Sequence, residues 1–346
     1  MLSKRNYTLD LLKIIAMNMV IIEHMLIYTN IKSLYITSDV FLALYSSVRV
    51  ICKVNVNIFI ICSGVILYER PFKFKNVFKI ILHTVIVSIV SLGLYVFLFK
   101  KSIKYIWILK SLLPVLSNSF WFITSYLGLY LLHPILDIIF NLFYSKKRNV
   151  LTTLILYFII YIYPNCFIFD SSSNGGRTII WMIILYFFAL SIRNIKVNTV
   201  IIKIIYFTLF FILTFVTFIS LKFNKTNLLL CNESPLVLML SISFFLMLKN
   251  TSLNFENKLI ERILVILSSS TLMVYLIHEN CCKYILWDYV NHIIEIFPIT
   301  IIFLPIIIYI AGIFLNFIVG IITKPILKLS FLEKICKKID LTYERL

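Results

Sequence analysis

The chain has 346 residues, of which 61% are hydrophobic and 14% are charged, and its mean hydropathy is +0.99. Soluble domains are roughly 45–50% apolar and about 25% charged, so this composition excludes a soluble globular protein and indicates a multi-pass membrane protein. The net charge of +18 comes mainly from Lys and Arg in short connections. Because no basic stretch carries interleaved aromatic residues, the bilayer and not nucleic acid is the expected partner.

The apolar segments predict an all-α, polytopic membrane helix bundle of about ten transmembrane helices. We expect a single domain over residues 1–346 with no appended soluble domain, and a first helix that is retained because it lacks a small-residue cleavage site. Placing both termini in the cytoplasm gives the inner connections more than twice as many Lys and Arg residues as the outer ones, which favours that orientation. The predicted spans are residues 9–29, 48–68, 77–99, 118–140, 150–164, 178–192, 199–221, 234–249, 262–281 and 299–322.

Ionisable residues interrupt the stretch TLDLLKIIAMNMVIIEHMLIY (residues 8–28), which makes up nearly all of the first predicted span. Lys13 and His24 are eleven residues apart, so they share one helix face and lie ~16 Å apart along the axis. Asp10 lies one turn before Lys13 on that face and is the predicted local partner of Lys13. An ionisable group inside a membrane is costly unless it faces protein or water, which makes this stripe a candidate functional site.

A second polar stripe begins the second predicted span. Arg49, Lys53 and Asn57 recur every four residues and would share one face of a continuous helix. The alternative is that the two cations extend to the outer headgroups. Glu23 points ~100° away from its neighbour on the first helix and needs a partner from another helix. Arg49 and Lys53 are the candidates.

Two other histidines have expected structural roles. His83 is placed near the inner end of the third span and is expected to be a packing residue. His133 precedes Pro134, whose ring removes a backbone donor and leaves a carbonyl unpaired, so His133 is expected to bond that carbonyl. The seven cysteines match no metal or disulfide framework, and no metal site is expected.

Four stretches resemble, in chain order, the motifs of the acyltransferase family 3 membrane proteins. They are RNYTLDLLKIIAMNMVIIEHM (residues 5–25), NIFIICSGVILYE (57–69), FWFITSYLGLYLLHP (120–134) and SSSTLMVYLIH (268–278). Members of this family are bacterial integral-membrane enzymes that modify surface polysaccharides and related acceptors. Lys13 holds the position of the family's Arg and keeps its charge but not its planar fork, while His24 holds the position of the family's His. Ser119 stands where many members have another His.

The resemblance implies a bacterial cell-membrane enzyme that transfers an acyl group, expected to be acetyl from acetyl-CoA, to a hydroxyl of a cell-surface glycan or its lipid-linked precursor. It implies no permanently bound cofactor, with acyl-CoA as the donor substrate. A neutral His suits proton transfer near neutral pH, and His24 is the expected base. The expected residues are His24, Lys13, Glu23 and His278 for catalysis; Arg70, Lys73, Lys75 and Lys79 for the donor phosphates; Arg49, Lys53, Asn57, Trp121 and Tyr275 for the acceptor or the oxyanion; and Asp10, Ser63 and Gly64 as structural parts of the motifs.

Two other functions remain open from the sequence. A transporter or flippase for a polysaccharide precursor would use the polar stripes as a path, although such proteins usually show internal repeats and the chain shows no convincing duplication. A polysaccharide polymerase would be expected to carry a large outer loop rich in Arg and His, and the predicted outer loops are short.

Overall fold

The computed structural model describes residues 5–35, 38–68, 70–100, 104–142, 146–162, 176–225, 229–251, 257–280, 283–296 and 299–344. Within these ranges the chain forms α-helices and a π-helical turn at Phe158–Ile162, and no strand, which confirms the all-α prediction. The helices are α1 (Tyr7–Tyr28), α2 (Ile31–Tyr35), α3 (Asp39–Lys53), α4 (Asn55–Tyr68), α5 (Phe74–Phe99), α6 (Tyr105–Leu112), α7 (Trp121–Leu142), α8 (Lys146–Tyr157), α9 (Ile179–Ile192), α10 (Thr199–Lys222), α11 (Pro235–Asn250), α12 (Lys258–His278), α13 (Lys283–Ile296), α14 (Thr300–Ile326) and α15 (Ser330–Glu344).

Seven segments of the described chain are long and apolar enough to cross a membrane. They are Tyr7–Tyr28, Asp39–Tyr68, Phe74–Leu98, Trp121–Leu142, Thr199–Lys222, Lys258–His278 and Thr300–Ile326. Shorter apolar helices lie at the three other predicted spans: Val150–Ile162, Ile179–Ile192 and Pro235–Asn250. The fold is therefore that of a helical, multi-pass membrane protein, while the number of ten spans and the orientation stay predictions.

The second predicted span is longer than expected and is interrupted. Its helical conformation begins at Asp39, where the Ser38 side chain caps the helix, so the predicted start at residue 48 is wrong. At Val54 the backbone N–H bonds to the carbonyl of Cys52 instead of the carbonyl four residues back. The Asn55 side chain accepts a hydrogen bond from the next backbone N–H, a local bond that competes with the helical ladder.

The structure also contains two helices, α13 and α15, that a search for long apolar segments does not predict. Both are amphipathic, and their polar residues keep them below the hydropathy of a span. α13 packs over the end of α1: the Asn30 N–H donates to Asn291 Oδ1 at 2.7 Å, and the Tyr28 and Trp287 rings lie 5.9 Å apart. The stretch after α5 forms the short helix α6, in which Tyr105 is 73% exposed.

The structural roles predicted for two histidines are confirmed. In α7, the carbonyl that Pro134 leaves without its helical donor belongs to Tyr130, and His133 Nδ1 lies 2.6 Å from that oxygen. His83 is buried and its Nε2 lies 3.0 Å from Thr323 Oγ1 of α14. Both rings therefore satisfy groups inside the bundle.

The helices pack into two compact units. The first unit comprises Met1–Cys62, Asn194–Tyr275 and Tyr284–Ile310, and α10 packs there against α3 and α11. The second unit comprises Ser63–Arg193, Leu276–Lys283 and Ala311–Leu346, and there α9 packs against α7 and α8 while α15 packs against α5. Packing units are not functional domains, so the expectation of one domain stays a prediction.

Candidate functional site

A largely buried ion pair lies among the polar residues of the first unit. Glu23 Oε1 accepts a hydrogen bond from Lys53 Nζ at 3.0 Å, and Glu23 Oε2 accepts one from Asn55 Nδ2 at 2.6 Å. The Lys53 and Glu23 side chains are 19% and 18% exposed. The prediction that Glu23 pairs with a cation of the second span is confirmed, and Lys53 is the partner. Arg49 instead has its guanidinium carbon 6.0 Å from the Tyr45 ring.

The interruption after α3 explains why the second polar stripe is divided. Lys53 closes α3 and turns to Glu23, whereas Asn57 lies on α4 and is fully buried. Asn57 Nδ2 donates to the backbone oxygen of Asn232 at 2.9 Å and to Ser241 Oγ at 3.2 Å. These side chains are satisfied by protein groups, so the alternative that Lys53 extends to the headgroups is wrong.

Sequence reasoning missed the loop that meets Asn57. Asn232, Glu233 and Ser234 are 4%, 7% and 4% exposed although all three are polar. Burial, and next the Glu233 carboxylate, raise the pKa of the neighbouring Cys231 thiol. The sequence does contain a signal for this loop: three polar residues directly precede Pro235, the first residue of an apolar helix. The first backbone N–H groups of a helix have no partner within the helix, so polar groups are expected there.

His24 and Lys13 lie on one uninterrupted helix, as predicted. α1 runs from Tyr7 to Tyr28 without a break, so the two side chains share a face. The His24 ring is partly buried and lies 5.7 Å from the Tyr28 ring. Lys13 Nζ lies 5.6 Å from the centre of the Phe59 ring, a cation–π contact with the second motif. His24 therefore directly follows the paired Glu23 on the same helix, with a ring contact to Tyr28 one turn later.

Asp10 has a different partner from the one predicted. Arg5 binds it in a bidentate manner, with Nε 2.6 Å from Oδ2 and Nη2 3.1 Å from Oδ1, so the expected pair with Lys13 is wrong. Arg5 Nη2 also donates to Ser268 Oγ at 3.1 Å, which joins the first motif to the last one. A lysine at position 5 could not make this planar, forked contact.

The predicted donor-binding residues lie on the segment that leads into α5, which we call the basic segment (residues 70–79). Arg70, Lys73 and Lys79 are exposed, and Lys75 Nζ makes a partly exposed ion pair with Glu333 Oε1 at 3.2 Å. An exposed cluster of cations beside a helix start is suited to hold phosphate groups.

The basic segment is held in place by two helices. The Phe74 N–H donates to Asp340 Oδ1 of α15 at 2.7 Å, and the Phe72 ring stacks on Tyr343 of the same helix with centres 4.0 Å apart. From α7, the Tyr130 hydroxyl donates to the Lys73 carbonyl at 3.2 Å. The backbone that carries these cations is therefore fixed, although the cations themselves face solvent.

The remaining aromatic and histidine candidates lie at the ends of helices. Trp121 begins α7, and the Arg177 guanidinium carbon lies 5.8 Å from its ring. Tyr275 and His278 lie in the last turn of α12 and are 5% and 0% exposed. His278 is therefore a packed residue of the bundle interior.

Gly64 and Ser63 fit their expected structural role. Ser63 is 1% exposed, and a Cβ built on Gly64 would lie 2.9 Å from the Ala189 Cβ and 3.1 Å from the Tyr186 ring. Glycine therefore permits α4 and α9 to approach each other closely, as small residues do between membrane helices.

An open cleft of about 410 Å³ lies at the start of α12. Two exposed cations, Lys258 and Arg262, border it together with Glu261 and Tyr7 of α1. Apolar Val265 continues its wall along α12. Besides the basic segment, this cleft is therefore a second candidate site for an anion with an apolar tail, because it offers both cations and an apolar wall.

These features define a multi-pass helical membrane protein that carries ionisable groups inside its bundle and exposed cations on its connections. A family model described as an acyltransferase domain, the acyltransferase 3 family, matches residues 6–324. The chain therefore belongs to this family, and it is a membrane acyltransferase, as the four motifs indicated. No curated protein and no solved structure matches the chain significantly. Membership of this family favours the acyltransferase over the transporter and the polymerase.

Proposed function

We propose that the protein is a bacterial plasma-membrane O-acetyltransferase that moves acetyl from acetyl-CoA to a hydroxyl of a cell-surface glycan or its lipid-linked precursor. The observation that carries the proposal is the polar group inside the bundle, in which His24 directly follows a Glu23 whose two oxygens are bonded by Lys53 and Asn55. A packing role alone would not need a charged network at this depth, because apolar residues of similar size pack as well or better.

In the proposed reaction His24 removes the proton from the acceptor hydroxyl as its oxygen attacks the thioester carbonyl. The new C–O bond forms, the C–S bond breaks, and the coenzyme A thiolate takes the proton from the imidazolium. Lys13 and Arg49 supply cations that would stabilise the oxyanion or hold an acidic acceptor, while Lys53 and Asn57, which bond to protein groups, would hold the surrounding polar residues in place. Glu23, held by Lys53 and Asn55, would fix the polar surroundings next to His24.

The donor is proposed to bind from the cytoplasm, with ten spans and both termini inside. In this orientation the basic segment faces the compartment that contains coenzyme A, and its fixed backbone supports its assignment to the donor phosphates. Trp121, Tyr275 and His278 are proposed to contribute to the acceptor side. The cleft at Lys258 and Arg262 is the second candidate for the phosphates.

The function is tested by NMR of the surface glycan from cells that lack the protein or carry a variant. The His24→Ala variant at normal expression is expected to lose the O-acetyl signals while the glycan backbone remains. His292→Ala is the matched control, because His292 is exposed on α13 and its side chain is 69% accessible. Full acetylation by His24→Ala would refute the catalytic assignment, and loss of the whole glycan in the deletion strain would favour a transporter or polymerase.

The donor site is tested by acetyl-CoA titration of purified protein. Lys79→Gln is expected to raise KM for acetyl-CoA several-fold with little change in kcat, since an exposed cation that binds phosphate contributes to ground-state binding. Arg262→Gln in the cleft is the comparison. A raised KM only in Arg262→Gln would move the donor phosphates to the cleft.

A further inference from the structure

The last helix, α15, has two faces with different partners. Its inner face contacts the basic segment through Asp340 and Tyr343, and Cys336 on the same face is buried. Its outer face presents Phe331, which is 70% exposed, and Ile335, which is 37% exposed. These two side chains are one turn apart, so they form one apolar strip on the helix surface.

Positive charge flanks the apolar strip. Lys334, Lys337 and Lys338 are all exposed. The carboxylates of Glu333 and Asp340 are bonded instead to Lys75 and to the Phe74 N–H on the inner side. These two carboxylates are therefore engaged on the inner side, and three exposed lysines lie near the apolar strip.

Chain length places α15 at a membrane surface. The apolar span α14 ends at Ile326 and α15 begins at Ser330. The intervening residues reach at most ~14 Å when fully extended. Leu329 in this connection is 55% exposed, so apolar surface continues from the end of the span to the strip on α15.

We propose that the outer face of α15 lies on the membrane surface and binds anionic lipid headgroups. Phe331 and Ile335 would enter the boundary between headgroups and acyl chains, and the lysines would extend to the lipid phosphates, which is the usual arrangement of an interfacial helix. This site lies outside residues 6–324, the part that matches the family, and the proposal does not depend on the acetyl-transfer function. Since α15 also contacts the basic segment, its binding to lipid would help to fix the position of that segment.

The test uses the full chain in nanodiscs that contain equal amounts of phosphatidylglycerol and phosphatidylcholine. The Phe331→p-benzoylphenylalanine variant is illuminated, and the adducts are identified by mass spectrometry. The expected result is a lipid adduct enriched several-fold in phosphatidylglycerol. Lys334→Gln, Lys337→Gln and Lys338→Gln together should remove this enrichment, because each lysine near an anionic surface favours binding by about fivefold.

The control places the same probe on the inner face. Tyr343→p-benzoylphenylalanine is expected to crosslink within the protein, at the Phe72 region, and this crosslink also shows that α15 is folded in the lysine variants. Three outcomes would each overturn the proposal. The probe at position 331 could give no lipid adduct, it could label both lipids equally while the native lysines are present, or it could crosslink to another polypeptide.

Discussion

Neutralising one member of the buried ion pair should cost far more stability than neutralising an exposed one. Glu23→Gln leaves the charge of Lys53 without its carboxylate, although the two side chains are only 18% and 19% exposed. Such an uncompensated charge costs about 3–5 kcal/mol. The matched control is Asp39→Asn, because Asp39 pairs with Lys222 in the same unit with side chains 65% and 42% exposed, and exposed pairs contribute under about 1 kcal/mol.

A double-mutant cycle isolates the interaction. Glu23→Gln with Lys53→Gln removes both charges, so the double variant should recover about 2 kcal/mol relative to the sum of the single changes. Unfolding free energies are measured in bicelles by steric trapping, with thermal stability in detergent as a second readout. If Glu23→Gln costs no more than Asp39→Asn, or if the two single changes add, the pair is not the buried network described above.

The double variant also separates stability from chemistry. It restores a neutral, packed interior but has no carboxylate beside His24. Acetylation that stays low in this folded variant would assign the Glu23–Lys53 pair a role in the reaction. Acetylation that returns together with stability would leave Glu23 a purely structural residue.

Three further predictions concern backbone and thiol groups. Gly64→Ala should lower stability by about 1–2 kcal/mol, because its new Cβ would lie 2.9 Å from an alanine Cβ of α9 that cannot rotate away. A Cβ built on Gly93 meets nothing within 4 Å, so Gly93→Ala should raise stability by up to ~1 kcal/mol. Equal effects of Gly64→Ala and Gly93→Ala in thermal melts would contradict the close approach of α4 and α9. His133→Leu should cost about 1–3 kcal/mol by leaving the carbonyl freed by Pro134 unpaired, and adding Pro134→Ala should recover most of it by restoring a backbone donor; a double variant as unstable as the single would show that this bond is unimportant. In a variant retaining only Cys231, burial holds the thiol pKa above its usual value of about 8.5, so the maleimide reaction rate should still rise above pH 9; a plateau below pH 8.5 would be inconsistent with this environment.

The sequence predicted the helices and part of the site because membrane helices obey simple rules. Long apolar segments must be helical in a bilayer, and an unpaired Glu inside one must find a donor, which led to Arg49 and Lys53 as candidate partners for Glu23; the structure shows that Lys53 is the partner. The role of His133 followed from the donor that Pro134 lacks. In each case one unsatisfied group within the bilayer left few possible solutions.

The rest depended on contacts far apart in the chain. Asp10 takes Arg5 because a forked guanidinium can hold both the carboxylate and Ser268, and no local spacing predicts a partner on α12. The polar residues before Pro235 resemble an ordinary loop, and only the packed structure shows that they are buried against Asn57. Amphipathic helices such as α15 are missed because their hydropathy resembles that of soluble proteins.

The separation between Glu23 and its partner has a consequence for biogenesis. Asp10 is paired with Arg5, which precedes it by five residues, so the partner of this carboxylate has already been synthesised when Asp10 is added to the chain. Glu23 is paired only after Lys53, 30 residues later, has been synthesised, and an unpaired acidic residue in an inserting helix is costly, by up to about 2.5–3.5 kcal/mol at the helix centre. Insertion is therefore favoured when α1 and the α3–α4 segment enter the bilayer together as a helical hairpin, with the ion pair formed as the hairpin closes.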